Sequence, residues 1–450
     1  MLNTQENEYM CRVGPGTPMG NLIRQYWIPA LMPSELPVAD CPPVRLRLLG
    51  ENLIAFRTTS GAVGVVQNAC PHRGASLFFG RNEEEGMRCV YHGWKFDVTG
   101  ACVDMPSEPA ESNFKNKVRA RAYPCVERNG IIFTYMGPRE VAPPLPDLLP
   151  NLDEECRVDK TMRECNFVQA LEGDIDTVHL GYLHMGHRKA EDASPGTEGY
   201  YTLKTRNVSL EVMDTPIGTT YGGYRPAEET TDYWRIATFQ LPFYTIDPTG
   251  LLGKKTAGKA WVPLDDEHMM LWNFTAPTRG AVEGPGVGGI RGQTWTVQNL
   301  PQTGFQGAGY LPHTSDWLGR FRNIQDASND YLVDRDAQAR MESYTGIAGI
   351  PEQDKAMNES MGPICDRSHE HMGTTDQMVI KTRRRLINAA KAFEQTGKAP
   401  EGVDQPELYR QRAGCVLLPR GVNALEACTD LIFGRSLDVE ATNEMSAVSS

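Results

Sequence analysis

The chain lacks the features of membrane, secreted and nucleic-acid-binding proteins. No apolar run approaches the ~20 residues that a membrane span needs, and the N-terminus MLNTQENEYM has neither the basic nor the apolar stretch of a signal peptide. Lysine and arginine total 45 against 57 acidic residues, a net charge of −12, so the basic excess that neutralises phosphates is absent. We expect a cytoplasmic protein that binds neither nucleic acid nor membrane.

Cysteine and histidine are both scarce. Eleven cysteines among 450 residues is an odd number and too few for a disulfide scaffold, so most of them are expected to be buried thiols. The chain has only nine histidines. Two of the cysteines nevertheless have a histidine within three residues, which chance pairing does not readily explain.

The length suggests two or three domains, and the first part has the pattern of a small all-β unit. Residues 1–25 form an arm, which ends in a short helix at 19–26. Short runs of β-branched residues, separated by turn signals, predict strands at 44–49, 53–58 and 63–67, a hairpin formed by 89–98 and 101–105, and a strand at 130–136. A proline-rich linker at 143–146 separates an N-terminal domain, 1–150, from a second domain, 151–450.

The second domain is predicted to combine a larger antiparallel sheet with helices, which makes the fold class α+β. Strands are expected within 200–275, including 231–244 and 268–276, and helices around 169–180, 315–341, 354–359 and 376–395. Ser315 is the expected N-cap of the helix at 315–341. Basic residues within 379–391 are expected on a solvated helix face. The glycine-rich 280–309 segment is predicted to be a mobile loop, and the last dozen residues a tail.

Two cysteine–histidine pairs lie beside turns of the all-β unit. His72 follows Cys70 by two residues, and His92 follows Cys89 by three. Two thiolates and two imidazoles suit tetrahedral zinc. Zinc fingers, however, group the cysteines together and the histidines together, whereas each loop here supplies one of each. That arrangement suits a [2Fe–2S] cluster with thiolates on one iron and imidazoles on the other.

A second group of candidate ligands lies in 166–184. His179 and His184 are five residues apart, about 140° around an ideal helix, so they share a face only if the helix breaks, for which Gly181 is the candidate. Asp176 is a helix neighbour of His179. Two histidines and a carboxylate are the ligand set of non-haem Fe(II) oxygenases. The alternative is a helix with solvated acids and one capping histidine.

At these residues the chain resembles a known family. The stretches CPHRGASLFFG (70–80) and CVYHGWKFDVTGAC (89–102) resemble the Rieske domain of ring-hydroxylating oxygenases, and NFVQALEGDIDTVHLGYLH (166–184) resembles their catalytic domain. The resemblance is to the terminal oxygenase (alpha) subunit, in the phthalate-dioxygenase-like branch. It implies one [2Fe–2S] Rieske cluster held by Cys70, Cys89, His72 and His92.

The resemblance also implies one mononuclear Fe(II), held by His179, His184 and a carboxylate from a distant C-terminal helix. The segment 352–362 resembles that helix, so Asp354 is the expected third ligand. Glu359 and Asp366 are the alternatives, and Asp354 could instead be a solvated helix acid. The nearby His187 is expected to lie behind the ligands or at the surface, and not to bind the iron itself.

The family match gives Asp176 a different role from ligation. It implies that Asp176 bridges His179 to His92 or His72 of a neighbouring subunit, because a carboxylate can accept N–H bonds from two imidazoles. Such a contact implies a head-to-tail ring, a homotrimer or a dimer of trimers.

The function implied is that of a terminal oxygenase component. It would use O₂ and two electrons from a separate NAD(P)H-dependent flavin/[2Fe–2S] reductase to hydroxylate an aromatic, carboxylated substrate; no glycine-rich nicotinamide motif follows a strand in this chain. The alternatives are an oxidative O-demethylase of a methoxylated aromatic acid and a Rieske electron-transfer protein without oxygenase activity. Arg206, Arg225 and Arg235 are possible anchors for an anionic substrate, although each is also an ordinary strand or surface arginine.

Overall fold

The computed structural model describes residues 2–109, 111–254, 256–277 and 309–435. The predicted loop at 280–309 and the predicted tail lie outside these residues, apart from Gly309. Within these ranges no helix is long and apolar enough to cross a bilayer. The N-terminal part contains helices α1 (Thr4–Cys11) and α2 (Pro18–Ile23), and strands β1 (Trp27–Leu31), β2 (Val44–Leu48), β3 (Glu51–Arg57), β4 (Val63–Gln67), β5 (Arg81–Glu83), β6 (Gly86–Arg88), β7 (Lys95–Phe96), β8 (Cys102–Asp104), β9 (Ala122–Tyr123), β10 (Cys125–Arg128) and β11 (Ile131–Tyr135).

These strands form three small antiparallel sheets. Their strand orders are β2-β3-β4-β9, β5-β6-β7-β8 and β1-β11-β10. The predicted strands at 44–49, 53–58, 63–67 and 130–136 are confirmed. The predicted hairpin is confirmed only in its centre, where β7 pairs with β8, because residues 89–94 form a loop rather than the start of a strand.

The arm is more ordered than its polar sequence suggests. Asn3 caps α1 through a capping box with Glu6, and Met10 and Cys11 are fully buried. Asn7 donates to the carbonyl of Cys365 at 2.8 Å. The arm therefore packs against the C-terminal half of the chain, and the predicted short helix is α2.

The second part is built on one large antiparallel sheet, which confirms the α+β prediction. The sheet has eight strands in the order β12-β18-β17-β16-β15-β14-β13, and β19 pairs with β15. Its elements are β12 (Arg157–Arg163), α3 (Phe167–Ile175), α4 (Glu198–Lys204), β13 (Ser209–Thr215), β14 (Gly218–Pro226), β15 (Thr231–Gln240), β16 (Tyr244–Ile246), β17 (Thr256–Pro263), β18 (Met269–Ala276), α5 (Arg335–Ala339), α6 (Ile350–Ser360), α7 (Gln377–Thr396), β19 (Gly414–Pro419), α8 (Ala424–Ala427) and α9 (Thr429–Ile432).

Two helix predictions need correction. The expected helix at 315–341 is wrong: this segment contains only a 3₁₀ stretch, Ala327–Leu332, and the short α5. Ser315 therefore caps no helix. Asp330 and Tyr331 adopt φ values of 50° and 55°, and this left-handed backbone interrupts any continuous helix.

The expected solvated face at 379–391 is wrong for Arg383, which is buried within α7. Its guanidinium pairs with Glu172 of α3 at 2.7 Å and with Glu370. Arg367, also buried, pairs with the same Glu172 at 3.2 Å. Burial would raise the pKa of Glu172, but the charges of Arg367 and Arg383 hold it below its usual value. This ion cluster ties α3 to α7.

We predict that Glu172→Gln lowers the free energy of unfolding by about 3–5 kcal/mol, because it removes the carboxylate that the buried Arg367 and Arg383 share and leaves Arg383 with Glu370 alone. Urea denaturation at neutral pH measures the loss. The stabilisation should be full above the ordinary carboxyl pKa and disappear as the pH falls through the lowered pKa of Glu172. Arg384→Ala, which removes a half-exposed pair with Glu6, is the matched control and should cost at most about 1 kcal/mol. Equal losses in the two variants would contradict the assignment.

Two candidate metal centres

Two loops of the N-terminal part carry the first group of predicted ligands. In each loop the cysteine amide donates to the carbonyl five residues later, at 2.8 Å for Cys70 and 2.9 Å for Cys89, and a glycine amide, of Gly74 or Gly93, donates back to the cysteine carbonyl at 2.9 Å. These glycines have φ values of 78° and 81°, where a Cβ would be strained. The two loops are thus copies of one turn, and each begins with a predicted thiolate.

The four predicted ligands converge between these loops. The Nδ1 atoms of His72 and His92 are 3.1 Å apart, and the His72 ring stacks on Trp94 with centroids 4.3 Å apart. Both cysteines are buried and free of disulfides. Burial raises the pKa of the Cys70 thiol to about 11. The adjacent Cys89 thiol also raises this pKa, whereas a hydrogen bond from the His72 backbone amide lowers it.

This donor set fits a metal centre. A [2Fe–2S] cluster with thiolates on one iron and imidazoles on the other would use all four side chains, and a backbone amide directed at a thiolate sulfur is a usual support for such a ligand. Tetrahedral zinc would use the same four atoms. The geometry by itself therefore leaves both metals open.

The second group of predicted ligands lies just after the C-terminal end of α3. The helix stops at Ile175, and the Asp176 carboxylate accepts a hydrogen bond from the amide of Val178 at 2.7 Å. A 3₁₀ turn, His179–Gly181, follows. The predicted helix at 169–180 with a break at Gly181 is therefore wrong at its end, because an aspartate that bonds the amide two residues ahead competes with the helix.

Three side chains from two distant parts of the chain meet at this turn. His184 Nε2 lies 3.1 Å from His179 Nε2 and 3.1 Å from Asp354 Oδ1 on α6. His179 Nε2 lies 3.6 Å from the same oxygen. Burial would raise the pKa of Asp354, but the adjacent imidazoles of His184 and His179 hold it below the usual value. One nitrogen from each histidine and one carboxylate oxygen could thus bind a single metal ion.

Close packing of α3 against α6 brings these residues together. Gln169 of α3 donates to the Asn358 carbonyl at 2.9 Å and to the Gly362 carbonyl at 2.7 Å. A Cβ on Gly173 would lie only 3.0 Å from the Asn358 amide nitrogen. A larger residue at position 173 would therefore press on the Asn358 side chain, which would have to shift.

The two alternative carboxylates are elsewhere. Glu359 accepts from the backbone amide of Glu164 and from the Tyr331 hydroxyl. Asp366 is exposed and accepts from the Ser368 amide at 3.0 Å. Among the described residues, the carboxylate that lies beside His179 and His184 is that of Asp354, and neither Glu359 nor Asp366 belongs to this cluster.

Each histidine of the cluster has an outer partner. Asp176 Oδ2 is 3.6 Å from His179 Nδ1, and Gln353 Oε1 is 2.8 Å from His184 Nδ1. Sequence analysis missed Gln353, which precedes Asp354 directly. His187 is exposed, and its Nε2 lies 2.7 Å from the carbonyl of Met341.

A cavity of about 350 Å³ adjoins the cluster. Its wall is mostly apolar and includes Leu180, Met185, Trp261, Leu271 and Pro351. This size and lining suit a small organic molecule placed next to a bound metal.

Charged side chains also line the cavity, and most are neutralised in pairs. Lys259 bonds to Asp174 and lies 3.5 Å from Asp247. Arg235 pairs with Glu198 at 3.3 Å.

Two arginines in the wall remain without such neutralisation. Within the described part of the chain, Arg163 and Arg188 have no carboxylate within ion-pair distance. Arg163 is 3% exposed and donates to the side-chain oxygen of Asn358, whereas Arg188 is half-buried and donates to the carbonyl of Asp192. The cavity wall thus holds two cationic groups that could accept an anion.

The three arginines named from the sequence are placed differently. Arg206 donates to the carbonyls of Gly186 and Arg188. Arg225 donates to the carbonyl of Thr202, and burial lowers its pKa to about 10. Among the described residues, these two do not line the cavity. Arg235 does, but its charge is already paired. Sequence analysis missed Arg163, at the end of β12, because nothing in the sequence distinguishes it from an ordinary arginine in a strand.

Comparisons with protein families and known proteins identify both halves. Residues 26–124 match the Rieske [2Fe-2S] domain, and residues 134–413 match the family described as LigXa C-terminal domain like. The Rieske match selects the iron–sulfur interpretation of the first centre over zinc.

Curated relatives match along nearly the whole chain. The chain is 45% identical to a 3-chlorobenzoate-3,4-dioxygenase oxygenase subunit of Comamonas testosteroni, over 94% of this chain and 97% of that protein. It is 35% identical to a phthalate 4,5-dioxygenase oxygenase subunit of Pseudomonas putida, over 91% and 90%. It is 30% identical to a 5,5'-dehydrodivanillate O-demethylase oxygenase subunit of Sphingobium sp. (strain NBRC 103272 / SYK-6), over 90% and 84%.

A solved structure with the same fold is dicamba monooxygenase bound to dicamba, with a TM-score of 0.53 at 18% identity over 83% of this chain and 99% of that one. The alternative of an electron carrier without oxygenase activity is wrong, because the full-length relatives are oxygenase subunits. The chain belongs to the phthalate-dioxygenase-like branch of the Rieske non-haem iron oxygenases, as an oxygenase subunit whose cofactors are one [2Fe–2S] Rieske cluster and one mononuclear Fe(II).

Proposed function

We propose that this oxygenase hydroxylates an aromatic carboxylate, using O₂ and two electrons from a separate reductase. The observation that carries the proposal is the apolar cavity beside His179, His184 and Asp354, in which Arg163 and Arg188 have no carboxylate partner among the described residues. The relatives named for 3-chlorobenzoate and phthalate support the same substrate class.

We propose the following ligands. Cys70 and Cys89 hold one iron of the Rieske cluster, and His72 and His92 hold the other, which is supported by the matching turns of the two loops. His179, His184 and Asp354 hold the mononuclear Fe(II), which is supported by their 3.1–3.6 Å mutual distances. The division at residue 150 is proposed as the boundary between the units that carry the two centres.

The bound cofactors supply electron storage at the cluster and O₂ activation at the lone iron. The side chains of the catalytic part would bind the iron, exclude water and orient the substrate. His179, His184 and Asp354 would hold the iron through three side chains, so that O₂ and water would have access to it. Trp261 and Leu271 in the cavity wall exclude bulk water from the reacting carbon, and an arginine can hold the substrate carboxylate in a fixed orientation.

We further propose that Asp176 connects the two kinds of centre between subunits, in a homotrimer or a dimer of trimers. Its carboxylate already faces His179 at 3.6 Å, and its side chain is 32% exposed, so an oxygen remains accessible to His72 or His92 of the partner subunit. Burial would raise the pKa of Asp176, but the neighbouring His179 imidazole and the backbone amide of Val178 hold the pKa below its usual value. Asp176 is therefore ionised at neutral pH and able to accept two N–H bonds.

Asp176→Asn should retain all of the iron but lower turnover by about 100-fold, because an amide oxygen with an adjacent NH₂ replaces a carboxylate that accepts from two imidazoles. Iron content, the visible spectrum and product formed per O₂ measure the two effects. Asp366→Asn is the matched control, since Asp366 also accepts from an amide two residues ahead and lies 3.0 Å from a histidine, His369, but at the surface. Normal product formation per O₂ in Asp176→Asn would remove the bridging role.

Arg163→Gln should raise KM for an aromatic carboxylate by about 10- to 100-fold, because hydrogen bonds to charged groups contribute about 1.5–3 kcal/mol. The corresponding neutral methyl ester should be affected much less, which separates lost charge recognition from a distorted cavity. Arg188→Gln, at the half-buried position, should have a smaller effect. Steady-state O₂ uptake with benzoate, phthalate and their esters gives these values. An unchanged KM for every carboxylate that the wild type oxidises would contradict the role of Arg163.

Oxidative O-demethylation of a methoxylated aromatic acid is the second candidate, and the 30% identical O-demethylase relative supports it. Both reactions use the same iron ligands and differ in which substrate carbon faces the iron. Formaldehyde release from a methoxybenzoate would indicate demethylation, whereas a cis-diol or phenol product would indicate ring hydroxylation.

The electron donor is proposed to be a separate NAD(P)H-dependent protein with flavin and a [2Fe–2S] cluster. Val90 and Tyr91, in the loop that carries His92, are exposed apolar residues. An exposed apolar patch beside the proposed cluster is a suitable surface for binding such a donor protein. A cytoplasmic location remains part of the proposal.

A further inference from the structure

We propose that Gln353 is a positioning residue that fixes His184 in the tautomer whose Nε2 can bind Fe(II), and that it thereby sets the iron affinity of the mononuclear centre. The inference rests on the proposed function, because it takes His184, His179 and Asp354 as iron ligands. It concerns the amide next to the ligand Asp354 rather than the ligands themselves.

Gln353 is held at both ends of its side-chain amide. It is 8% exposed, in the first half of α6. Its Nε2 donates to the carbonyl of Ile347 at 2.9 Å, and its Oε1 lies 2.8 Å from Nδ1 of His184. Both contacts are short enough to be full hydrogen bonds.

The first contact determines the direction of the second. A backbone carbonyl can only accept a hydrogen bond, so the nitrogen of the Gln353 amide must face Ile347. A flipped amide would bring two buried oxygens to within hydrogen-bond distance without a proton between them, which costs free energy. The oxygen of Gln353 therefore faces His184, and Nδ1 of His184 must carry the proton.

The tautomer of His184 follows. A neutral imidazole has one N–H and one lone pair. With the proton on Nδ1, the lone pair is on Nε2, the atom that lies 3.1 Å from both His179 Nε2 and Asp354 Oδ1. Gln353 thus selects the nitrogen that points at the metal position and also fixes the rotation of the ring.

The two histidines are held unequally. The side chain of His184 is 4% exposed and its partner is a neutral amide at 2.8 Å, whereas the side chain of His179 is 25% exposed and its partner is the Asp176 carboxylate at 3.6 Å. His184 is therefore the more rigid of the two. The Asp176 contact is left free to serve another partner without loosening the whole centre.

The test measures Fe(II) affinity directly, in enzyme that retains its Rieske cluster and has been depleted of mononuclear iron by a chelator. Gln353→Met, of similar length but without an acceptor, should weaken Fe(II) binding about 10- to 100-fold. Gln353→Glu keeps an oxygen for the His184 N–H and should restore the affinity of the folded enzyme to within a few-fold of wild type. Its second oxygen faces the Ile347 carbonyl, so this variant should be less stable than wild type.

The matched control is Gln325→Met. Gln325 is also a buried glutamine, and its side-chain amide also donates to a backbone carbonyl of the 345–349 segment, that of Ala348, at 3.0 Å. Its loss should change the affinity by less than about threefold. Wild-type affinity in Gln353→Met, or an equal loss in Gln325→Met, would overturn the inference.

A measurement on the wild-type enzyme covers the case in which Gln353→Met fails to fold. The N–H protons of both histidines, shifted by the paramagnetic Fe(II), can be distinguished in Asp176→Asn, which retains the iron and should move only the signal of His179. The hydrogen-bonded proton of His184 should exchange with solvent at least tenfold more slowly than that of His179. Equal or faster exchange at His184 would overturn the inference, whereas unchanged Fe(II) binding in His184→Ala would instead refute the proposed iron site.

Discussion

The close contact between α3 and α6 is the constraint on which the catalytic half depends. The histidines follow α3 and the carboxylate is on α6, about 170 residues later in the chain, so nothing local brings them together. The contact is specific because it consists of amide hydrogen bonds between Gln169 and Asn358, at a point where Gly173 has no side chain to separate the helices. Buried polar bonds of this kind fix one arrangement, since any shift leaves donors unpaired.

Charge balance explains how the same region can accept a substrate. Glu172 is neutralised by two arginines behind α3, and Lys259 and Arg235 are neutralised at the cavity wall. These pairs stabilise the frame and are not available to a ligand. Arg163 is different, because its described neighbours include an amide oxygen but no carboxylate partner. A buried cation without a carboxylate partner is stabilised when an anionic substrate binds next to it.

Short motifs made most of the proposed ligand residues predictable from sequence. Each of the two N-terminal loops has a cysteine followed within three residues by a histidine, Cys70 with His72 and Cys89 with His92. This spacing alone indicated a shared metal. Asp354 required family resemblance, since no spacing connects it to His179. Arg163 and Gln353 could not be found in this way, because their roles depend on which strand and which loop they face after folding. The failed helix at 315–341 has a local cause, the left-handed residues Asp330 and Tyr331, which its composition does not reveal.

The central claim is that one chain carries a Rieske cluster and a separate iron held by His179, His184 and Asp354. Iron analysis combined with the visible spectrum, for wild type and Asp354→Ala, tests it most directly. We expect three irons per chain in the wild type and two in the variant, with the absorption of the cluster unchanged. Three irons in Asp354→Ala, or loss of the visible absorption together with the third iron, would contradict the account.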